Sequence, residues 1–405
     1  MRYVARAVEK RFRSLLRSFP SVVVLGPRQC GKSTFVRHAL PQWRYIDLER
    51  PADRDLLEAD LEGFFDAYPR QVIIDEAQRM PELLPLLRHV IDRDQTKGRF
   101  VLLGSASPQL TMGASESLAG RVGMLELTPF RGSEVANSRH ARNRWFHGGY
   151  PPVHGLRSFD AREDWLDSYV TTFLERDVPA LGLNFPAARL RKLWTMLTHV
   201  HGNLLNVSDL ARSLAVSTHT VNHYLDVLEG AYLIRRLAPL HVNLQKRLTK
   251  SPKVYIRDTG VLHFLAGLRH PTDLETWPKR GHSFEGLVVE EIAALADQHL
   301  VRPELCFWRT HAGAEVDLVL HHRGTWVPIE ITLGAAVDHY AVAGLRQFMK
   351  DLEVSKGWVV AKTTERRRLG ENIEIVPWED VVNGREDFGI GQRRGRTKRR
   401  NEGLR

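Results

Sequence analysis

Eight consecutive residues, Gly26-Pro27-Arg28-Gln29-Cys30-Gly31-Lys32-Ser33, follow the spacing G-x-x-x-x-G-K-[ST]. Glycines at these positions let backbone N–H groups wrap around phosphates, and the lysine adds positive charge where a nucleotide carries its negative charge. On this reading Gly26, Pro27, Arg28, Gln29, Cys30, Gly31, Lys32, Ser33 and Thr34 bind ATP. Lys32 neutralises the β- and γ-phosphates, and Ser33 is a ligand of Mg²⁺. Chance would produce four such fixed positions in roughly one or two per cent of chains this long, so the context decides. It supplies Asp75-Glu76, an acid pair in which Asp75 holds the magnesium through water and Glu76 polarises the attacking water. The ordinary alternative for two acids at a strand end is a helix cap. Ser105 is a sensor candidate beside the γ-phosphate, and Arg121 is a candidate arginine finger, acting in its own subunit or a neighbour's. Routine turn and surface roles are the alternatives.

These residues need a scaffold that brings them together. Val22-Val23-Val24-Leu25 is a short apolar run that stops at Gly26, Gln71 to Ile74 is a second that stops at the acids, and Phe100-Val101-Leu102-Leu103 is a third ending at Gly104-Ser105. Short apolar runs bounded by glycine or polar residues predict buried parallel strands of an α/β domain. The helix beginning at the loop directs its positive end at the anion.

The chain has 405 residues with 43% hydrophobic and 26% charged, which predicts two or three globular domains and excludes global disorder. Its two cysteines, Cys30 and Cys306, provide neither a disulfide framework nor zinc-site spacing. With no apolar run long enough to span a bilayer, the expected location is the cytoplasm, with no membrane partner. Inside the phosphate loop, Cys30 either fills space or exposes a thiol whose modification would block ATP. The basic, partly apolar first twenty residues predict a helix packed on the nucleotide domain rather than a targeting peptide. Residues 391 to 405 hold Arg393, Arg394, Arg396, Lys398, Arg399, Arg400 and Arg405 against Glu402 alone. Such a tail is disordered and suited to phosphate backbones, or simply solvated.

Beyond the Gly148-Gly149-Tyr150-Pro151-Pro152 turn the pattern is helical, and Glu175-Arg176-Asp177 places charges on an otherwise apolar helix, for pairing or for contact with the nucleotide domain. A helix capped by Ser208, a turn at Val216-Ser217 and a second apolar face at Val221, Tyr224, Leu225 and Leu228 give helix-turn-helix spacing. A strand over 231–236 would complete a winged helix, with Thr218, His219, Asn222 and His223 available to a DNA groove. From Lys253 onward, a helix over 284–297, strands near 307, 316–320 and 326–331, a helix near 339–351 and a strand at 358–361 predict a second α/β unit. In it Glu285, Asp317 and Glu330 are candidate magnesium ligands.

The motifs GPRQxGKS at 26–33, Ile74-Asp75-Glu76-Ala77-Gln78, Leu118-Ala119-Gly120-Arg121 and Phe173-Leu174-Glu175-Arg176-Asp177 together resemble a large bacterial and archaeal family of AAA+ ATPases. The resemblance covers residues 1 to about 385. It implies a P-loop AAA+ domain (1–150), a helical and winged-helix domain (151–250) and a C-terminal α/β domain similar to the PD-(D/E)xK nuclease fold (251–387). The basic tail occupies 388–405. ATP and Mg²⁺ are the implied ligands, DNA is the expected partner, and a homo-oligomer is compatible with the family. Trp308-Arg309-Thr310, Gly313 to Asp317 and Pro328 to Ile331 carry the nuclease-like likeness. However, Thr332 stands where that pattern has a lysine, which argues against cleavage. The leading expectation is an ATPase working on or near DNA by conformational cycling. A slow nucleotide switch in signalling or defence, or an ATP-regulated nuclease, are the alternatives.

Overall fold

The computed structural model describes residues 3–105, 117–136, 143–180, 183, 185–240, 250–334, 336–337 and 342–390. Of the basic tail expected at 388–405, residues 391–405 lie outside them, while Phe388 is buried against Trp358 and so belongs to the folded carboxy-terminal core.

The amino-terminal part is built on five parallel strands, β1 (Ser21–Gly26), β2 (Arg44–Asp47), β3 (Val72–Asp75), β4 (Phe100–Ser105) and β5 (Val122–Glu126), in the order β2-β3-β4-β1-β5. Alternate residues of each strand enter opposite layers, as the two-residue period of a strand requires. Val22, Val24, Val101 and Leu103 face one core with Phe12 and Leu15 of the helix Glu9–Ser18 and with Phe35 and Val36 of the helix Lys32–Ala39. Val23, Leu25, Ile74 and Leu102 face the other with Leu83, Leu87 and Ile91 of the helix Leu83–Arg93. Burial on both faces accounts for the unbroken apolar runs read in the sequence.

The helix Phe159–Thr172 runs into a π-helical turn at Phe173–Asp177. The helices Val207–Leu214 and Thr218–Gly230 follow, the first capped by the side chain of Asn206 rather than by Ser208, the second by Ser217. Tyr232 adopts a left-handed backbone, φ 57°, and the expected strand starts only at Ile234. That strand, β6 (Ile234–Pro239), pairs antiparallel with β7 (Lys253–Ile256).

The hairpin does not stop there. β6 also pairs in parallel with β8 (Glu304–Arg309) through Ala238 and Pro239. It thereby joins β9 (Glu315–His322), β10 (Thr325–Thr332), β11 (Gly357–Ala361), β12 (Arg367–Leu369) and β13 (Ile373–Pro377) in one eight-stranded sheet, ordered β12-β13-β11-β10-β9-β8-β6-β7. A boundary at residue 250 therefore cuts through this sheet. Val254 and Ile256 face the helical core, while Tyr255, between them, faces the core of the carboxy-terminal unit with Phe284, Val288 and Phe307. The helix Arg280–His299 covers that second core.

Candidate functional site

The phosphate loop closes at two glycines that no other residue could replace without strain. Gly26 has φ 151° and a Cβ there would lie 2.1 Å from the Leu127 carbonyl oxygen; Gly31, with φ 98°, stands immediately before the helix Lys32–Ala39. The Lys32 ammonium is buried and donates to the carbonyls of Gly26 and Pro27, both at 3.0 Å, so its charge lies within the curl of the loop. Arg6 braces the loop from behind. It donates to the Cys30 carbonyl at 3.0 Å and pairs with Glu134 at 3.1 Å. Cys30 is fully buried, its thiol donates to the Leu127 carbonyl at 3.1 Å, and burial raises its pKa, so it fills space and is not a reactive thiolate.

Beside the loop, Ser33 Oγ donates to Asp75 Oδ2 at 2.6 Å, the Tyr45 hydroxyl donates to the same oxygen, and the Glu76 amide donates to Asp75 Oδ1 at 2.9 Å. Burial pushes Asp75 up, against the pull of the Ser33 and Tyr45 hydrogen bonds; burial and then Asp75 raise Tyr45. A serine hydroxyl fixed against a buried carboxylate is an oxygen pair suited to a hard cation, so the residues present fit Mg²⁺. Glu76 sits in the left-handed region, φ 54° and ψ 43°, and its Oε2 accepts from the Gln78 side-chain amide. Backbone strain of this kind in a non-glycine residue concentrates at functional sites. Ser105 ends β4 as the register partner of Gly26, on the strand adjoining the loop.

Arg121 lies elsewhere. It precedes β5, whose Val122 is in register with Ser21, at the end of the sheet opposite the loop, roughly 17 Å away by strand rise. Its guanidinium pairs with Asp92 at 2.6 Å. It does not reach the phosphate loop of its own chain. The arginines at the loop end of the sheet are different ones. Arg28, within the loop, pairs with Asp177 of the π-helical turn, and the neighbouring Arg176 pairs at 3.0 Å with Glu49, which also holds Arg79 at 2.8 Å. Burial raises Asp177, opposed by Arg28 and Arg176, and Glu76 adds its own repulsion. The Glu175-Arg176-Asp177 cluster thus contacts the nucleotide domain.

In the carboxy-terminal unit Glu285, Asp317 and Glu330 do come together, with Glu315 and a cation that the sequence reading did not foresee. The Lys253 ammonium, from β7, pairs with Glu315 at 2.6 Å, Glu285 at 2.9 Å and Asp317 at 3.1 Å. Among the described residues no trio of His, Cys, Asp or Glu side chains is arranged to hold a metal ion. Burial alone would drive Lys253 towards neutrality, but Asp317 and Glu285 more than reverse this and keep it charged. Glu285 is itself held down to about 2 despite its burial, chiefly by Lys253. Burial and the Glu285 charge push Asp317 up to about 6, while burial and Asp317 push Glu330 well above the carboxylate range.

Residues 18–136 match an AAA domain family; residues 138–272 and 280–381 match two domains of unknown function, DUF8612 and DUF4143. Uncharacterised proteins of Mycobacterium tuberculosis and Mycobacterium bovis are each 40% identical over 380 residues, covering 93% of this chain and 84% of theirs. The chain belongs to a bacterial and archaeal family of AAA+ ATPases. A Walker-type ATPase of Pyrococcus abyssi is similar over 64% of this chain and 94% of its own, at 16% identity and a TM-score of 0.44.

Within this AAA+ chain, sequence reasoning missed Tyr45, Gln78, Arg6 and Lys253. Gln78 sits inside a quoted motif, two residues after Glu76, and could have been found there. The other three are single residues far along the chain from what they touch, and no local pattern marks them. Among the described residues no helix is long and apolar enough to cross a membrane.

Proposed function

We propose that the protein hydrolyses ATP with Mg²⁺ and couples the nucleotide cycle to movement of the unit carrying the helix-turn-helix, acting on or near DNA. The observation that carries this reading is the hydrogen-bonded series Ser33–Asp75–Glu76 beside the loop, with Arg28 tied to Asp177 across the domain boundary. Lys32 and the loop amides bind the phosphates. Ser33 and Asp75 would hold the metal, which would supply positive charge to offset the charge on the β- and γ-phosphates. Glu76 orients and deprotonates the attacking water, and Gln78 positions it. Ser105 lies on the adjoining strand as the sensor candidate. Because Arg28 is in the loop and Asp177 is not, a change in what the loop holds alters a contact between domains.

Contact with DNA is supported by the helix Thr218–Gly230, whose Thr218, His219, Asn222 and His223 are all exposed, and by the basic composition of the tail. The winged-helix reading rests on the hairpin β6–β7 that follows this helix.

The test is ATP turnover by wild type, Lys32→Ala and Glu76→Gln, each with and without single-stranded, duplex and branched DNA. The expected result is turnover raised several-fold by DNA and lost in both variants, with Glu76→Gln still binding ATP. Tight binding with negligible turnover under every condition would replace this reading with a nucleotide switch.

A further inference from the structure

An ammonium group has three N–H donors, and that of Lys253 meets three carboxylates, Glu285, Glu315 and Asp317. Lys253 is 3% exposed. It reaches them through the alternation of β7, since Lys253 and Tyr255 lie two apart and share the face turned away from the helical core. The carboxylates are fixed from outside as well. Tyr255 donates to Glu285 Oε1 at 2.5 Å, the Ile331 amide donates to Asp317 Oδ2 at 3.0 Å, and Arg309 pairs with Glu315 at 2.9 Å. Beside them Glu330 turns an oxygen inward that is closed to solvent and without a hydrogen-bond partner among the described residues.

Carboxylates gathered out of water need a cation, and two kinds can serve: a hard divalent ion bound through oxygen, or an ammonium or guanidinium of the chain itself. Here the point where Glu285, Glu315 and Asp317 converge is already taken by Nζ. We propose that Lys253 is a built-in counter-ion at the point where Glu285, Glu315 and Asp317 converge, and that removing its ammonium lets these three carboxylates close around a divalent cation instead. In the intact protein the cluster then joins β7 to the helix Arg280–His299 and to β9 as an ionic fastening. It takes up no metal, and any chemistry there that needs one does not run. This inference is independent of the ATPase reading, since none of these residues belongs to the phosphate loop.

The experiment is a Mn²⁺ titration of the nucleotide-free full-length protein, followed by the electron paramagnetic resonance of free Mn²⁺. Wild type, Asp317→Asn, Lys253→Met and Lys253→Met/Asp317→Asn are compared. Wild type and Asp317→Asn should bind Mn²⁺ alike, and Lys253→Met should gain one equivalent that the double variant loses again. The proposal is overturned if wild type binds a Mn²⁺ that Asp317→Asn abolishes, or if a cooperatively folded Lys253→Met gains none. A Lys253→Met protein that folds only with Mn²⁺ present supports it. If that variant folds under neither condition, the comparison of wild type with Asp317→Asn decides.

Discussion

Changing Asp177 to Asn tests whether the loop and the neighbouring domain communicate through Arg28. The Arg28 and Asp177 side chains are 27% and 22% exposed, so the pair is neither a solvated surface contact nor a fully desolvated one. A charge-assisted hydrogen bond in that setting is worth about 1 to 2 kcal/mol net. Arg28 belongs to the loop that must curl around the phosphates, so phosphate and Asp177 compete for one guanidinium. Releasing it by Asp177→Asn should tighten ATP binding by roughly five- to thirtyfold, the equilibrium equivalent of that energy. Removing a negative charge that Glu76 already feels acts in the same direction. The assay is equilibrium binding of a fluorescent ATP analogue with Mg²⁺ at 0.15 M salt, on wild type, Asp177→Asn, Arg28→Ala and the double variant. In the Arg28→Ala background the Asp177 substitution should lose most of its effect, which makes the pair non-additive. Affinity in Asp177→Asn equal to or weaker than wild type, with cooperative melting intact, refutes the argument.

Other outcomes follow from the same geometry. Both cysteines are buried with raised pKa, Cys306 to about 12, so a thiol reagent should label neither in the folded protein and both after denaturation. Labelling of Cys30 in native protein, with loss of ATP binding, would contradict its placement. Arg121→Ala should leave turnover within twofold of wild type, because the guanidinium is tied to Asp92 at the far end of the sheet; a hundredfold loss would require a contact from a neighbouring subunit. Burial depresses His201 to about 4 and His263 to about 3. Both rings should therefore remain neutral at pH 5 by nitrogen NMR, and protonation near pH 6.5 would refute their burial. From pH 6.5 down to about 4 for His201 and about 3 for His263, the unfolded chain binds protons at these rings that the fold excludes, so the stability they contribute declines as pH falls through those windows. Finally, Gly26→Ala should abolish ATP binding, since the added methyl collides with the Leu127 carbonyl; undiminished binding would show that the loop can be rebuilt.

The parts legible in the sequence were those whose chemistry is written in consecutive residues. The loop at 26–33 and the acids at 75–76 each follow their own buried strand, so one stretch of chain specifies both the functional group and its support. β2 and β5 were not legible. Arg44–Asp47 is four residues with a charge at each end, and Val122–Glu126 contains Gly123 and an exposed Met124, so neither shows the unbroken apolar run that marked its neighbours. With β2 went Tyr45 and its hydrogen bond to Asp75. The sequence reading looked for a lysine two residues after Glu330 and found Thr332, while the cation at that cluster comes from Lys253, on a strand that pairs several places away across the sheet. Arg28 was legible as a loop residue but not as one half of a domain contact. Its partner is 149 positions distant.

The hairpin β6–β7 has a mechanical consequence. It follows the helix Thr218–Gly230, but one of its strands is also a rung of the carboxy-terminal sheet, and its two faces are embedded in two different cores. Helical unit and carboxy-terminal unit are therefore fastened through a shared strand rather than strung on a linker. A substitution that loosened the pairing of Ala238 and Pro239 with Cys306 and Phe307 should therefore be felt in both cores at once, as a melting transition that splits in two.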